Sequence, residues 1–428
     1  MYKLCVIGDP VAHSRSPAIH TALLRQRGLE GVYTTVTVRK GELEAFVAEA
    51  RRGKWDGFNV TMPHKQAILP LLDAVEGDAA AMGAVNTVTV RQGRAVGYNT
   101  DGEGFVRSLP FSASGKRVLV LGSGGASATV CAVLRDMGAR VTFVSRNAEI
   151  AHTEGGNIQQ LIGTDRTTYD RLSAYKDAQI IVNATPVGTY PENGRSPIDL
   201  EMFPNLEFVG DLIYNPARTA LLLQAEALGI PHGGGLSMLA AQAAASASLF
   251  LGGTAIEPDK IRQAEDELRR QTENIVLIGM PASGKSTLGA MLGKALGRPV
   301  WDSDEELLRR TGLTAEELLT RRGEGEFRRL ETEVLSDLGK RWGGIIATGG
   351  GCVTRSENRD LLRQNGRIIW LQRDLAKLDA SGRPLLKTVS IEELYRQRKA
   401  LYEDFCDKII SNDGTPQETL RRLKESLL

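Results

Sequence analysis

Two glycine-rich junctions carry residues whose types and spacing suit phosphate chemistry. The run Gly279-Met280-Pro281-Ala282-Ser283-Gly284-Lys285-Ser286 fits GxxxxGK[ST], after a predicted strand, Asn274–Ile278, and before a predicted apolar helix, Thr287–Leu296. In that context backbone N–H groups of the loop cradle phosphates, Lys285 reaches the β/γ oxygens and Ser286 ligates Mg2+. The candidate nucleotide-binding residues are therefore Gly279, Pro281, Ala282, Ser283, Gly284, Lys285, Ser286 and Thr287. The second junction, Leu119–Ser127, reads as a strand entering a glycine turn and then a small-residue helix. There Gly122, Ser123, Gly124, Gly125 and Ala126 let the backbone approach a pyrophosphate at the positive end of a helix. The following strand ends Val144-Ser145-Arg146-Asn147. An NAD site usually places an acidic residue here, whereas Arg146, flanked by Ser145 and Asn147, suits a 2′-phosphate and hence NADP(H).

Other polar clusters have plain structural readings when taken singly. Ser14 and Ser16 before Pro17 could cap a helix, Asp101 could be turn chemistry, and Lys65 could be a solvated lysine. Trp301-Asp302-Ser303-Asp304 follows the strand expected after the GxxxxGK[ST] helix, and strand alternation would point both carboxylates the same way. Glu326–Glu331 supplies cations on a helix, Ala347–Gly351 closes another strand, and Gly382–Leu386 and Arg398–Tyr402 come later.

The elements that must position these groups alternate short β-branched runs with amphipathic stretches, the pattern of βαβ units and parallel sheets. Predicted strands are 3–7, 32–38, 57–60, 117–121, 141–144, 180–182, 208–211, 275–278, 345–348 and 367–371; predicted helices include 16–27, 41–52 and 127–137. At about 150 residues per domain, the 428 residues predict three domains. A helical return from Met238 to Phe250 and a charged helix, Pro258–Arg270, precede the strand at Asn274, so the main boundary falls near 271–274. Ile261, Ala264 and Leu268 form one stripe of that charged helix. With 53 Lys+Arg against 52 Asp+Glu, the charge balance points to neither nucleic acid nor an acidic tail. No apolar run reaches the roughly 18 residues of a membrane span, and the N-terminus does not read as a signal peptide. Four dispersed cysteines without a CxxC pair argue against a disulfide framework or a structural zinc site. A soluble, cytoplasmic protein is expected.

Jointly, Ser14–Pro17, Asn59–Lys65, Gly83–Thr87, Asn99–Gly102, Gly122–Ala126, Asn183–Gly188, Asp211–Pro216 and Gly235–Gln242 resemble shikimate dehydrogenase, in that family's order and over about residues 1–270. The resemblance implies NADP(H)-dependent interconversion of 3-dehydroshikimate and shikimate in aromatic amino acid biosynthesis. It implies a substrate domain built from residues 1–100 plus 238–270, clasping a Rossmann NADP domain at 101–237. By motif position Ser14, Ser16, Thr61, Asn86, Asp101 and Gln242 would hold the substrate, with Tyr214 completing the pocket. Leu212 and Gly235 would join the NADP site, and Lys65 and Asp101 would be the acid/base pair. That pairing is chemically sound, since an ammonium stabilises and protonates the alkoxide formed when a ketone gains hydride. One departure is Ser145, where the family usually has Asn.

The C-terminal set resembles shikimate kinase over about residues 274–428. This implies transfer of the ATP γ-phosphoryl to the shikimate 3-hydroxyl. Asp304, Arg328, Arg398 and the Gly349–Gly351 turn, with Gly350 at its centre, would bind shikimate. Asp304 would accept the hydroxyl proton, Asp302 would hold Mg2+ with Ser286, and Arg383 would close over the phosphates from a lid. The segment 371–382 looks shorter than the family's usual lid. The expected fold class is α/β, a two-lobed dehydrogenase with a Rossmann domain followed by a P-loop kinase domain with a parallel sheet. The expected protein is a bifunctional enzyme acting on small molecules, with its oligomeric state left open. The competing reading is a quinate/shikimate dehydrogenase with a nucleotide-binding regulatory kinase-like domain; Arg146 argues against its use of NAD.

Overall fold

A computed structural model describes residues 1–12, 14–147, 164–378 and 390–427. Its first sheet contains β1 (Tyr2–Gly8), β2 (Gly31–Thr37), β3 (Gly57–Val60), β4 (Ala74–Val75), β5 (Thr87–Arg91) and β6 (Arg94–Tyr98). They are ordered β2-β1-β3-β5-β6-β4. β1 runs parallel to β2 and β3, but β5 is antiparallel to both β3 and β6. This corrects the expectation of parallel pairing throughout. The reason is local: Gln92 and Gly93 both take positive φ, 51° and 76°, the geometry of a two-residue hairpin that needs no crossover helix. The helix expected over 41–52 is also shorter, Leu43–Glu49, and gives way to a wider turn, Ala50–Lys54, in which Gly53 leaves helical geometry.

The second sheet contains β7 (Arg117–Leu121), β8 (Arg140–Ser145), β9 (Asp165–Thr168), β10 (Ile180–Asn183), β11 (Phe208–Asp211) and β12 (His232–Gly233), all parallel. Its order, β12-β11-β10-β7-β8-β9, reverses between β7 and β10. Ligands in doubly wound sheets bind beyond the strand ends at such a switch point. The third sheet contains β13 (Asn274–Ile278), β14 (Val300–Asp302), β15 (Ile345–Ala347), β16 (Gly366–Gln372) and β17 (Lys408–Ser411). It is parallel, ordered β14-β15-β13-β16-β17, and β13 is its buried centre. On one face of that sheet Trp370 of β16 stacks on Tyr402 at 5.4 Å, both fully buried.

Two compact units result. The first comprises Met1–Thr189, Arg195–Tyr214 and Gln224–Leu268; the second comprises Tyr190–Gly194, Asn215–Leu223 and Arg269–Leu428. The break after Leu268 lies close to the expected boundary. Within the first unit, Ile19 and Leu23 from the helix Ser16–Gln26 share a core with Ala243 and Ala247 from Gly235–Phe250 and with Ala264 and Leu268. Both ends of that unit therefore meet in one core. All four cysteines are free. Among the described residues no helix is long and apolar enough to cross a membrane.

Candidate active sites

The C-terminal ends of β1 and β3 assemble the first polar cluster. Thr61 N–H donates to Ile7 O at 2.9 Å and Asp9 N–H to Met62 O at 3.1 Å. Only glycine fits at position 8, because a Cβ there would lie 2.5 Å from Thr61 Cγ2 and 2.9 Å from Met62 O. Ser14 Oγ receives the Ser16 N–H at 3.3 Å and donates to Ser16 Oγ at 3.2 Å. Burial pushes the Tyr214 hydroxyl up, and the charge of Arg15, which stands between the two serines, opposes that shift. Lys65 lies in the short helix His64–Ala67, whose His64 is buried with Nε2 2.6 Å from Val38 O.

Asp101 opens the helix Asp101–Ser108. Lys65 Nζ donates to Asp101 Oδ2 at 2.7 Å and Asn86 Nδ2 to Asp101 Oδ1 at 2.8 Å. The Lys65 and Asp101 side chains stay 33% and 23% exposed, so the pair is fixed yet still reachable by a small molecule. Thr100 Oγ1 lies 3.5 Å from Gln242 Oε1, which brings Gln242 to the same cluster. Gly104, which the sequence did not single out, makes this possible, since a Cβ there would stand 2.6 Å from Gln242 Cβ. Its signal was a glycine inside a helix, which often marks close packing.

The glycine turn after β7 has the geometry a dinucleotide needs. Gly122 takes φ 116°, and a Cβ there would lie 2.9 Å from Ala184 O. Ser127 Oγ ties the turn by donating to Gly122 O at 2.7 Å. Gly124, Gly125 and Ala126 are exposed at the start of the helix Gly125–Asp136, next to half-buried Ser123. Ser145 is buried and donates to Asn147 O at 2.6 Å, holding the turn from which exposed Arg146 projects. Leu212 and Gly235 abut, because any Cβ on Gly235 would overlap Leu212 O.

In the second unit, the loop after β13 wraps its own lysine. Lys285 Nζ donates to Gly279 O at 3.0 Å and Met280 O at 2.9 Å and is largely buried. Ala282 takes a positive φ of 64°, and Ser283 O accepts from Asn412 Nδ2 at 2.7 Å. Pro281 packs on Gly350, where a Cβ would lie 2.9 Å from Pro281 N. Gly284 and Lys285 mark the helix start that Ser286 and Thr287 continue.

Ser286 Oγ donates to Asp302 Oδ2 at 2.6 Å. These two oxygens suit one Mg2+, which takes one or two protein oxygens plus waters and phosphate. Asp302 ends β14, and its other oxygen caps the helix Ser303–Thr311 by accepting the Asp304 N–H at 2.9 Å. Strand alternation, expected from sequence to point both carboxylates the same way, therefore does not relate them. Asp302 is the cap and Asp304 stands in the first helical turn.

The Gly349–Gly351 turn gathers the remaining groups. A Cβ on Gly349 would lie 2.8 Å from Glu331 Oε1 and 3.0 Å from Asp304 Oδ1, and one on Gly351 would overlap the Arg328 guanidinium. Gly350 O accepts from Arg398 Nη1 at 3.0 Å and from Tyr402 OH. Arg328 and Glu331 form a buried pair at 2.7 Å. Burial pushes the Glu331 carboxyl up, against the pull of Arg328. Tyr402 and Asn412 join the site unforeseen because they reach it across 52 and 129 residues, and Glu331, paired with Arg328 one turn away, joins it because the glycine turn packs against that pair. Arg383, with Gly382–Leu386, lies outside the described residues.

Known proteins are similar to both parts of the chain. Residues 6–88 match the model of the shikimate dehydrogenase substrate binding domain, and residues 281–428 match the shikimate kinase family model. The NADP(+) shikimate dehydrogenase of Shouchella clausii is 38% identical over 252 residues, covering 58% of this chain and 92% of the relative. That of Exiguobacterium sibiricum is 38% identical over 63% of this chain and 99% of the relative. Among solved structures, shikimate 5-dehydrogenase from Thermus thermophilus, in complex with NADP(H) and shikimate, has TM-score 0.56 and 36% identity, covering 62% of this chain and 99% of that one. A 5-ketofructose reductase from a Gluconobacter strain is similar as well, with TM-score 0.56 and 32% identity over 62% of this chain and 98% of that one. The chain belongs to the shikimate dehydrogenase family and carries a shikimate kinase domain at residues 281–428.

Proposed function

We propose that the chain catalyses two consecutive steps: NADPH-dependent reduction of 3-dehydroshikimate to shikimate, then ATP-dependent phosphorylation of shikimate at its 3-hydroxyl. The observation that carries this reading is the presence, among the described residues, of an acid/base set in the first unit and a phosphate-binding set in the second. In the first, Lys65, Asp101 and Asn86 lie in direct contact. In the second, Lys285, the Ser286–Asp302 pair and the Arg328–Arg398 frame surround glycine turns.

The first unit holds NADPH on Gly122–Ala126, Arg146, Leu212 and Gly235, where the cofactor supplies the hydride. Ser14, Ser16, Thr61, Asn86, Asp101, Tyr214 and Gln242 bind the hydroxyls and carboxylate of the substrate. Lys65 gives its proton to the carbonyl oxygen as the C–H bond forms, and Asp101 orients Lys65. In the second unit Arg328 and Arg398 suit the shikimate carboxylate, since guanidinium forks pair carboxylates bidentately. Asp304 takes the hydroxyl proton as that oxygen bonds the γ-phosphorus and the bond to ADP breaks. Ser286 and Asp302 hold Mg2+, whose charge offsets that of the phosphates, and Lys285 adds a further cation.

Purified full-length protein given 3-dehydroshikimate and NADPH should form shikimate, and addition of ATP with Mg2+ should convert it to shikimate 3-phosphate. Shikimate that accumulates unphosphorylated would reduce the C-terminal unit to a nucleotide-binding module. Turnover of 5-ketofructose but not 3-dehydroshikimate would overturn the first step. Cofactor choice offers a separate check. A charge-assisted hydrogen bond is worth about 1.5–3 kcal/mol, and each 1.4 kcal/mol is tenfold. Arg146→Ala should therefore weaken NADPH by about ten- to a hundredfold and leave NADH almost unchanged. Equal losses for both, measured as KM, would make the arginine structural.

A further inference from the structure

We propose that Ser246 is a positioning residue of the dehydrogenase site. Its hydroxyl clamps the helix carrying Gln242 to the polar chain that aims Asn86 at Asp101. The inference rests on the dehydrogenase reading and extends it to residues the family resemblance does not assign.

Ser246 is fully buried on Gly235–Phe250, one turn after Gln242, with alanines at 243, 244, 245 and 247. A hydroxyl buried among alanines is costly unless it is bonded. Ser246 Oγ lies 3.0 Å from Asn59 Nδ2, 2.8 Å from Thr87 Oγ1, 3.1 Å from Thr100 Oγ1 and 3.0 Å from Gln242 O. It therefore joins the helix to β3, to β5 and to the residue preceding Asp101.

The direction of the protons follows from groups that have no choice. Thr100 N–H can only donate, and it reaches Asn86 Oδ1 at 2.9 Å. Asn86 Oδ1 is thus the acceptor, which turns Asn86 Nδ2 toward Asp101 Oδ1. Thr87 Oγ1 is 2.9 Å from the same Oδ1 and must donate to it. Its lone pairs then face Asn59 Nδ2 at 3.0 Å and Ser246 Oγ at 2.8 Å, whose single proton is shared between Thr87 Oγ1 and the carbonyl Gln242 O at 3.0 Å. Asn59 has its own orientation set, because Nδ2 meets the carbonyl Asn86 O at 3.0 Å while Oδ1 accepts from buried Tyr33 OH at 2.6 Å. The result is a chain from Ser246 through Thr87 and Asn86 to Asp101, whose direction is fixed from Thr87 onward. It ends on the carboxylate oxygen opposite the one that Lys65 holds. Bonds in such a chain polarise one another, and small displacements of positioned groups are felt at the reacting centre.

The test uses the full-length chain and follows shikimate oxidation with NADP+. Ser246→Ala should raise the KM for shikimate about three- to tenfold, the worth of one neutral hydrogen bond, and change kcat and the KM for NADP+ by less. Thr87→Val keeps the shape but removes the hydroxyl, and should reproduce that rise; Thr87→Ser should stay near wild type. On an Asn86→Ala background the Ser246→Ala step should add almost nothing, because both act through Asn86. A lowered Tm with unchanged KM in both Ser246→Ala and Thr87→Val would overturn the proposal and leave a purely structural plug. So would additive losses in the double variant. Wild-type protein that does not oxidise shikimate would overturn the dehydrogenase reading and the inference with it. Should Ser246→Ala fail to fold, the Thr87 pair decides the matter alone.

Discussion

Replacing Lys285 with alanine is expected to lower ATP-dependent phosphorylation of shikimate by about 10²–10³-fold, the cost of removing one preorganised donor from a charged transition state. Gly279–Ser286 contains a single basic residue, so nothing else in the loop supplies that charge. In the structure its ammonium sits on Gly279 O and Met280 O, held within the loop and ready to exchange two carbonyls for phosphate oxygens. Lys285→Arg keeps the charge but substitutes a planar fork for a compact point charge. It too should fall well below wild type, because Lys285 is largely buried and a longer, planar head has little room. Shikimate oxidation by the same variants should stay within about twofold, since effects at independent sites add without coupling. The named partners of Lys65 and Asp101 all belong to the first unit. The measurement is kcat for each half-reaction on one preparation. Phosphorylation retained above a tenth of wild type would remove Lys285 from the chemistry.

What the sequence made legible was the chemistry whose requirements are local. A phosphate-cradling loop needs glycine where the backbone turns left-handed or approaches another chain segment, and Gly122, Gly279 and Gly284 all show positive φ. Strand, turn and helix follow one another within a dozen residues there, so type and spacing suffice. Lys65 and Asp101 are 36 residues apart, and composition alone gave no reason to join them; only the order of several motifs did. Groups that depend on packing stayed hidden. Asn412 reaches the phosphate loop across 129 residues, and Gly104 matters only because another helix crosses it. Asp302 and Asp304 were visible as carboxylates, but their relation was misread. The strand stops at Asp302, whose side chain caps the next helix, and propensity places such element ends poorly. The antiparallel β5–β6 hairpin was missed for a related reason. The rhythm of alternating strands and helices elsewhere outweighed one Gln-Gly pair.

Lys65→Ala should abolish useful dehydrogenase turnover, with kcat for 3-dehydroshikimate reduction falling about 10²–10⁴-fold, the usual worth of a positioned general acid. The alkoxide formed by hydride transfer then has no ammonium beside it, and Asp101 is left with Asn86 Nδ2 but without its cation. NADPH binding should change little, because the glycine turn belongs to β7 and the helix Gly125–Asp136, whereas Lys65 follows β3 in another sheet. A conservative variant separates charge from proton transfer. Arginine is effectively always protonated, so Lys65→Arg can stabilise the alkoxide but cannot deliver its proton near neutral pH. If Lys65 served only as a charge, Lys65→Arg would approach wild type. Under the mechanism proposed, it stays at least about tenfold below. Asp101→Asn removes the partner instead, and should lower kcat without the complete loss seen in Lys65→Ala, since the ammonium remains. Single-turnover reduction monitored by NADPH absorbance, with cofactor affinity measured separately by fluorescence, reads each of these outcomes. A Lys65→Ala enzyme that keeps more than a tenth of wild-type kcat would take the proton donor elsewhere. The hydroxyls of Thr61 and Tyr214 would then be the groups to test next, one at a time, with the same assay.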